Sequence, residues 1–123
     1  MSYLEECIEE GIRKGLDVSW FVKEGWDDYQ LKQITWGLEE HIDIRQYAKI
    51  TYNGGQMQAI RAGIQEKVDI SLYASTDFNA TQMMIIFRGL EDKIDVTKYA
   101  KKELDWKQML EILEDERKKR SNG

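Results

Sequence analysis

The chain is poor in the residues that most often carry catalytic or metal chemistry. Its 123 residues include one cysteine, one histidine and no proline. Because Cys7 stands alone, no disulfide can form within the chain, and we expect a reducing, cytoplasmic setting. One cysteine and one histidine cannot supply the Cys and His ligands of a zinc site. We therefore predict no metal and no cofactor.

Long hydrophobic runs are also missing. The longest apolar run, Met83 to Phe87, is far shorter than the roughly 20 residues that a membrane-spanning helix requires. The chain begins MSYLEECIEE, and this acidic start differs from a signal peptide or a mitochondrial presequence. We therefore expect no membrane association.

Basic residues are outnumbered by acidic ones, and the imbalance lies towards the N-terminus. The formal net charge is −5. Residues 1–25 carry −3, residues 26–51 carry −2 and residues 52–77 carry −1, whereas residues 78–103 carry +1. An acidic N-terminal half argues against direct binding to the phosphates of nucleic acid, and it leaves a basic protein partner open.

What the chain does contain is a repeat of 26 residues without gaps. Its clearest columns are Gln30, Gln56, Gln82 and Gln108; Gly11, Gly37, Gly63 and Gly89; Asp17, Asp43, Asp69 and Asp95; and Phe21, Tyr47, Tyr73 and Tyr99. A repeat this short predicts a stacked array in which neighbours share a core. We predict an all-α fold, a short α-solenoid of about four and a half helix-pair repeats of 26 residues.

This register predicts one helical-repeat domain over residues 1–117. Its units are residues 1–25, 26–51, 52–77 and 78–103, followed by a C-terminal cap at 104–117. Residues 118–123 are basic and polar, and we expect them to form a frayed tail.

Capping signals predict two helices in each repeat. An Asp or Asn three residues before each repeated Gln has the pattern of a capping box. It starts helix A at about 27–40, 53–66, 79–92 and 105–118, with a first copy near 2–14. The repeated Asp starts a second helix of about seven residues, helix B, near 18–24, 44–50, 70–76 and 96–102.

Within helix A, Leu31, Ile34 and Leu38 form an apolar stripe that we expect to be buried. A glycine inside a helix lowers its stability, so the recurring Gly37 position predicts the close approach of a neighbouring helix. Helix A ends before a position where a left-handed conformation is expected, at Gly15, His41, Lys67 and Lys93.

The residues that could carry chemistry have structural explanations. His41 occupies that turn position, and Cys7 shares a column with Gln33, Ala59 and Ile85, which indicates a small packing residue. The carboxylates at helix ends, Glu39, Glu40, Glu66, Glu91 and Asp92, fit a solvated face. We predict that the protein is not an enzyme.

Positions that differ between repeats are the candidates for function. Trp36 shares its column with Glu10, Ala62, Arg88 and Glu114, so the common core does not require it. The predicted partner-binding residues are Tyr29, Lys32 and Trp36 in the second unit, Met84, Phe87 and Arg88 in the fourth, and Trp20 in the first. Aromatic residues, Met and Arg are enriched in protein interfaces. The alternative for each is packing against a neighbouring repeat.

The copies QMQAIRAGI with DISLYA at 56–74 and QMMIIFRGL with DVTKYA at 82–100 also carry a resemblance. The pattern resembles a short helical repeat of proteins from integrative elements and phages of Firmicutes. Arg45 in place of Ser or Thr, and the absence of proline between units, depart from it. The resemblance implies an accessory mobile-element protein, and this setting favours an inhibitor of a host defence nuclease, of anti-CRISPR or antirestriction type.

Three functions therefore remain open. The first is a protein-binding module with a protein partner such as a defence nuclease. The second is a nucleic-acid binder through the basic end, or an acidic mimic of nucleic acid. The third is self-association as a homodimer that buries Met84, Ile85 and Phe87.

Overall fold

The computed structural model describes residues 1–122, and this part of the chain contains helices and turns but no strand. The five α-helices are α1 (Tyr3–Lys14), α2 (Asp28–Glu39), α3 (Gly54–Gln65), α4 (Ala80–Glu91) and α5 (Trp106–Asn122). The predicted all-α fold is confirmed, and each helix A begins within two residues of the position predicted for its start. The arrangement of the repeats as a solenoid stays a prediction.

The predicted capping boxes form at the N-termini of α2, α3, α4 and α5. At α2, the backbone N–H of Gln30 donates to Asp27 Oδ1 at 2.8 Å, and the N–H of Asp27 donates to Gln30 Oε1 at 2.9 Å. The same reciprocal pairs recur at Asn53, Asn79 and Asp105. Two of the four N–H groups that a helix start leaves unpaired are satisfied in this way.

Helix B was predicted as a helix of about seven residues, and this length is wrong. The segments are short 3₁₀ helices at Val18–Val22, Ile44–Gln46, Ile70–Leu72 and Val96–Lys98. The repeated Asp does cap them: Asp43 accepts from the N–H of Arg45, two residues on. Tyr47 then leaves the helical region with φ −133°, which stops the segment after one turn.

Each long helix except α5 ends in the predicted left-handed residue. The φ angles are 73° at Gly15, 59° at His41, 58° at Lys67 and 60° at Lys93. After α2, the N–H of Ile42 donates to the carbonyl of Gly37 at 3.1 Å, as in a Schellman motif. Helix α5 continues to Asn122, the last described residue, so the segment predicted as a frayed tail from residue 118 is helical through residue 122.

The recurring glycine makes room for a tyrosine of its own repeat, where the sequence predicted a neighbouring helix. The Tyr47 hydroxyl donates to the carbonyl oxygen of Gln33 at 2.6 Å. A Cβ on Gly37 would overlap that hydroxyl and lie 2.5 Å from Ile44 Cγ2. The Tyr99 hydroxyl likewise donates to the carbonyl of Ile85 at 3.0 Å. The glycine therefore lets each tyrosine reach a helix carbonyl.

The chain divides into two compact units, one of residues Met1–Arg61 and one from Ala62 onward. The first contains α1, α2 and the first part of α3; the second contains α4, α5 and the end of α3. Leu31 and Ile34 are buried in the first unit, as the predicted stripe requires, and Leu38 is half-buried. In the second unit, the largest fully buried apolar side chains of α4 and α5 are Met83, Ile86, Met109 and Leu113.

Candidate protein-binding surface

Three of the predicted residues share one face of α2, at Tyr29, Lys32 and Trp36, and we call them the α2 face. Their spacing of three and four residues places them on one side of the helix. Tyr29 is 70% exposed and Trp36 is 43% exposed, whereas Lys32 is half-buried. The variable Trp36 column therefore marks a residue that reaches solvent, and the α2 face presents two large aromatic side chains.

The Trp36 ring is held by a guanidinium group that is itself fixed. Arg61 lies over the indole with its Cζ atom 5.2 Å from the ring centroid, within the range of a cation–π contact. Its Nε donates to Gln33 Oε1 at 2.8 Å, and its Nη1 donates to Glu40 Oε1 at 2.9 Å. Because these contacts anchor Arg61, one side of the indole is covered and the rest faces solvent in a restricted orientation.

Lys32 lies close to two tyrosine rings. Its ammonium nitrogen is 6.0 Å from the ring centroid of Tyr3 on α1 and 5.6 Å from that of Tyr29. Both distances are at or within the roughly 6 Å limit of a cation–π contact. Tyr3, Lys32 and Tyr29 therefore lie together, and α1 contributes an aromatic ring to the surface that the sequence assigned to α2 alone.

A groove lies between α1 and α2 beside the α2 face. It has a volume of about 290 Å³ and is lined by Tyr3, Glu6, Cys7, Glu10 and Thr35. The Thr35 hydroxyl donates to the carbonyl of Leu31 at 2.8 Å and lies 3.8 Å from Cys7 Sγ. The buried Cys7 therefore lines the groove beside Thr35, and both side chains are small.

The groove has negative electrostatic character. The pKa of the Tyr3 hydroxyl is raised to about 12, first by burial, then by Cys7 and by the carboxylates of Asp28 and Glu6. The two carboxylates are negative, and a nearby negative charge disfavours the phenolate. Glu10, on the same side of α1, is paired with Arg13 and Lys14, and its pKa is lowered chiefly by the hydrogen bond from Arg13.

The predicted residues of the fourth unit have different environments. Met84 is half-buried and Arg88 is exposed on α4. Phe87 is only 6% exposed, because its column faces inward in this repeat, as Leu113 does in the next. Phe87 was predicted to belong to a partner-binding surface, but in the free chain it is buried and offers a partner little accessible area. We therefore remove Phe87 from the candidate residues.

Trp20 is engaged by residues that follow it closely in the chain. The ammonium group of Lys23 lies 3.7 Å from its ring centroid, and the indole N–H of Trp26 donates to its carbonyl oxygen at 2.8 Å. Its side chain is half-buried. These contacts favour the alternative given above for Trp20, that it covers the first unit.

Two features of the surface were missed by sequence reasoning. Trp106, the first residue of α5, is 42% exposed, and its column otherwise holds Ser2, Asp28, Gly54 and Ala80. The residue type at this position varies between repeats, as it does at the position of Trp36, so the same comparison of repeats could have identified Trp106. The groove was missed because Cys7 and Thr35 lie on neighbouring helices, and only the packing of α1 on α2 brings them together.

His41 lies in the turn after α2 with a positive φ, as predicted. Within residues 1–122, no group of His, Cys, Asp and Glu side chains is arranged to hold a metal ion. None of the helices in this range is both long enough and apolar enough to cross a membrane.

Comparisons with protein-family models, with curated proteins and with solved structures gave no match. The resemblance to mobile-element repeats therefore stays a prediction from the sequence.

Proposed function

We propose that the chain is a non-enzymatic module that binds a protein partner through the α2 face, Tyr29, Lys32 and Trp36. The observation that carries this proposal is the exposed indole of Trp36, stacked on a guanidinium group that two hydrogen bonds hold in place. A side chain with little remaining freedom loses little conformational entropy when a partner covers it. Trp and Tyr in such positions are typical of interface hot spots.

The basic end of the chain supports nucleic-acid binding less well. Lys98 and Lys119 both pair with Glu116, and Arg117 pairs with Asp92 at 2.6 Å. Carboxylates already engage these cations, so a phosphate that bound here would have to displace the carboxylates. Protein binding is therefore the better supported of the two functions.

Self-association through the fourth unit is also less well supported. Of the three residues predicted to form a dimer interface, Ile85 and Phe87 are buried within the chain, and Met84 alone is partly accessible. One half-buried methionine offers little apolar area compared with a stable dimer interface.

A matched pair of variants tests the proposal. Trp36→Ala removes the indole, and Glu114→Ala truncates an exposed residue of the same column on α5. With a partner captured from cells and purified, we expect Trp36→Ala to weaken binding by about 2 kcal/mol or more in titration calorimetry. Glu114→Ala should leave affinity within about 0.5 kcal/mol. Equal affinities of the wild type and of Trp36→Ala would refute the proposal, provided that thermal melts show both to be folded.

The resemblance to mobile-element repeats selects the first partner class to test. We propose a host defence nuclease, which the module would inhibit by covering part of its surface. Adding the purified protein to a nuclease cleavage assay should slow cleavage, and Trp36→Ala should relieve the inhibition. Inhibition of equal strength by both proteins would show that the α2 face does not mediate it.

A further inference from the structure

We propose that the groove between α1 and α2 receives a cationic side chain of the bound partner, so that the partner segment is both basic and apolar. This inference rests on the proposed function, because it describes the partner of the surface that contains the α2 face. It specifies the chemistry of that partner, which the α2 face alone leaves undefined.

The walls of the groove suit the aliphatic part of a long side chain. The ring of Tyr3 and the side chains of Cys7 and Thr35 line it, and its volume is about 290 Å³. The Thr35 hydroxyl is directed to the carbonyl of Leu31. Lysine and arginine bury a hydrocarbon stem while their charged ends stay near polar groups. A groove with apolar walls and acidic neighbours matches that distribution.

The acidic groups stand at positions that a cation in the groove would approach. Glu6 and Glu10 lie four residues apart on α1 and both line the groove. Glu10 already pairs with Arg13 and Lys14. Within residues 1–122, Glu6 takes part in no ion pair, so its carboxylate is the group that can accept a partner's cation. A charge-assisted hydrogen bond to a carboxylate is stronger than a neutral one.

Charge across the first unit points to the same class of partner. Residues 1–61 contain eleven acidic and seven basic residues. The cations beside this surface are Lys32 and Arg61, which lie over aromatic rings, and Arg13 and Lys14, which pair with Glu10. All four are engaged within the chain, and an acidic surface attracts a basic segment and repels an acidic one.

The equivalent positions of the second unit show that the groove is not a requirement of the repeat. Met84 stands where α1 has Glu6, Ile85 where it has Cys7, and Arg88 where it has Glu10. Leu113 on α5 replaces Thr35 and is fully buried. Larger apolar side chains thus occupy the space between α4 and α5, with no carboxylate at these four positions. The small and acidic residues of α1 and α2 are a local departure from a well-packed alternative.

Three fluorescein-labelled decapeptides test the proposal by fluorescence anisotropy: alternating Arg and Leu, alternating Arg and Ser, and alternating Glu and Leu. We expect the Arg–Leu peptide to bind the wild-type chain more tightly than either of the others. Glu6→Gln removes the negative charge that would pair with the cation, and Thr35→Leu fills the groove with the residue that α5 has at the equivalent position. Each should weaken the Arg–Leu peptide by about tenfold, the effect typical of one lost charge-assisted contact.

Glu111→Gln is the matched control, because it changes net charge by the same amount as Glu6→Gln at an exposed carboxylate of α5 that does not line the groove. We expect it to leave peptide affinity nearly unchanged. Equal weakening by Glu111→Gln and Glu6→Gln would overturn the proposal, since only overall charge would then matter. Equal binding of the Arg–Ser and Arg–Leu peptides, or binding of none of the three, would also overturn it.

The captured partner separates this inference from the proposed function. If Trp36→Ala weakens that partner but Glu6→Gln and Thr35→Leu do not, the α2 face binds it and the cation site is wrong. If Trp36→Ala and Tyr29→Ala leave that partner unaffected while Glu6→Gln weakens the Arg–Leu peptide, the groove binds a cation and the proposed function is wrong. Thermal melts of each variant confirm that the protein under test is folded.

Discussion

The pairs α1–α2 and α4–α5 are built from the same columns of one repeat, yet they present different surfaces. The first pair offers Tyr29, Trp36 and an acidic groove, whereas the equivalent columns of the second pair hold no aromatic residue. Several columns that cap helices or fill the core hold the same residue in both pairs, such as Asp27 and Asp105, and Ile34 and Ile112. The comparison shows that folding constrains only part of each repeat, and that the remaining columns are free to specify a partner.

The largest expected effect concerns the glycine column, where the first and fourth repeats differ by one hydroxyl group. In the fourth repeat, a side chain on Gly89 would overlap the Tyr99 hydroxyl; in the first, Gly11 faces Phe21 and Val18. We expect Gly89→Leu to destabilise the fold by about 1–3 kcal/mol, because overpacking displaces a buried ring. Urea unfolding measures this effect.

The control for the glycine variant is Glu91→Gln, which should change stability by less than about 0.5 kcal/mol. Gly11→Leu should cost less than Gly89→Leu, since no buried hydroxyl is displaced. Stability of Gly89→Leu equal to that of Glu91→Gln would show that the close approach of tyrosine to glycine is unimportant.

The second prediction exchanges that tyrosine for the residue of the first repeat. Tyr99→Phe removes the hydrogen bond to Ile85 and should cost about 1 kcal/mol at neutral pH. Burial raises the pKa of the Tyr99 hydroxyl above its ordinary value of 10.0, so the folded state favours the neutral phenol. Its contribution is complete below pH 10 and is lost as the pH rises above it. Stability should therefore fall less steeply in alkali for Tyr99→Phe than for the wild type.

Unfolding by urea at pH 8 and at pH 10.5 measures the difference for Tyr99→Phe. Tyr29→Phe is the control, because Tyr29 is exposed and its hydroxyl should contribute little to folding. The prediction fails if Tyr99→Phe and the wild type lose stability in parallel.

A third prediction compares the left-handed residues after α1 and α4. Gly15 adopts φ 73° freely, whereas Lys93 adopts φ 60° against a steric penalty. Lys93→Gly should therefore stabilise the protein by up to about 1 kcal/mol, and Gly15→Lys should destabilise it by a similar amount. Calorimetric melting temperatures that move in the same direction for both variants would contradict this explanation.

The smallest effect concerns ion pairs between successive helices. Lys14 pairs with Glu39 at 2.7 Å, and Arg117 pairs with Asp92 at 2.6 Å at the equivalent positions of α4 and α5. At the equivalent positions, just after α3 and within α4, Glu66 and Glu91 are both acidic, and they line one cleft.

Glu91→Arg should create an ion pair with Glu66 at this position. It should raise the melting temperature by about 2 °C at low salt, with a smaller gain at high salt. Glu91→Gln removes the like charge without adding a pair, so it should give only part of the gain. A melting temperature for Glu91→Arg at or below that of the wild type would exclude a useful pair at this position.

Local signals allowed much of the fold to be predicted. Capping boxes, left-handed ends and the buried Leu31 and Ile34 depend on residues a few positions apart, so a repeated sequence makes them visible. The length of helix B was predicted wrongly because an Asp cap looks the same before a single 3₁₀ turn and before a longer helix. In the second repeat the segment ends at Tyr47, which leaves the helix to place its hydroxyl on a carbonyl fourteen residues away.

The candidate surface was predictable only in part, for a different reason. Comparison of repeats identified Trp36, because a core position does not alternate between tryptophan and glutamate. The same comparison misassigned Phe87, since its column holds Glu9, Thr35, Arg61 and Leu113 and turns apolar only in the later repeats. The groove depends on Cys7 and Thr35 meeting across two helices, and no local pattern reports such a contact.

The capping glutamines also restrict how the chain can change its length. The side-chain amide of Gln30 donates to the carbonyl of Tyr52 at 2.7 Å, and that of Gln82 donates to Leu104 at 2.7 Å, each spanning 22 residues. A small insertion between donor and acceptor would break this bond, whereas duplication of a whole unit would recreate it. Unequal recombination between copies of the repeat is therefore a tolerated route by which the gene can lengthen or shorten.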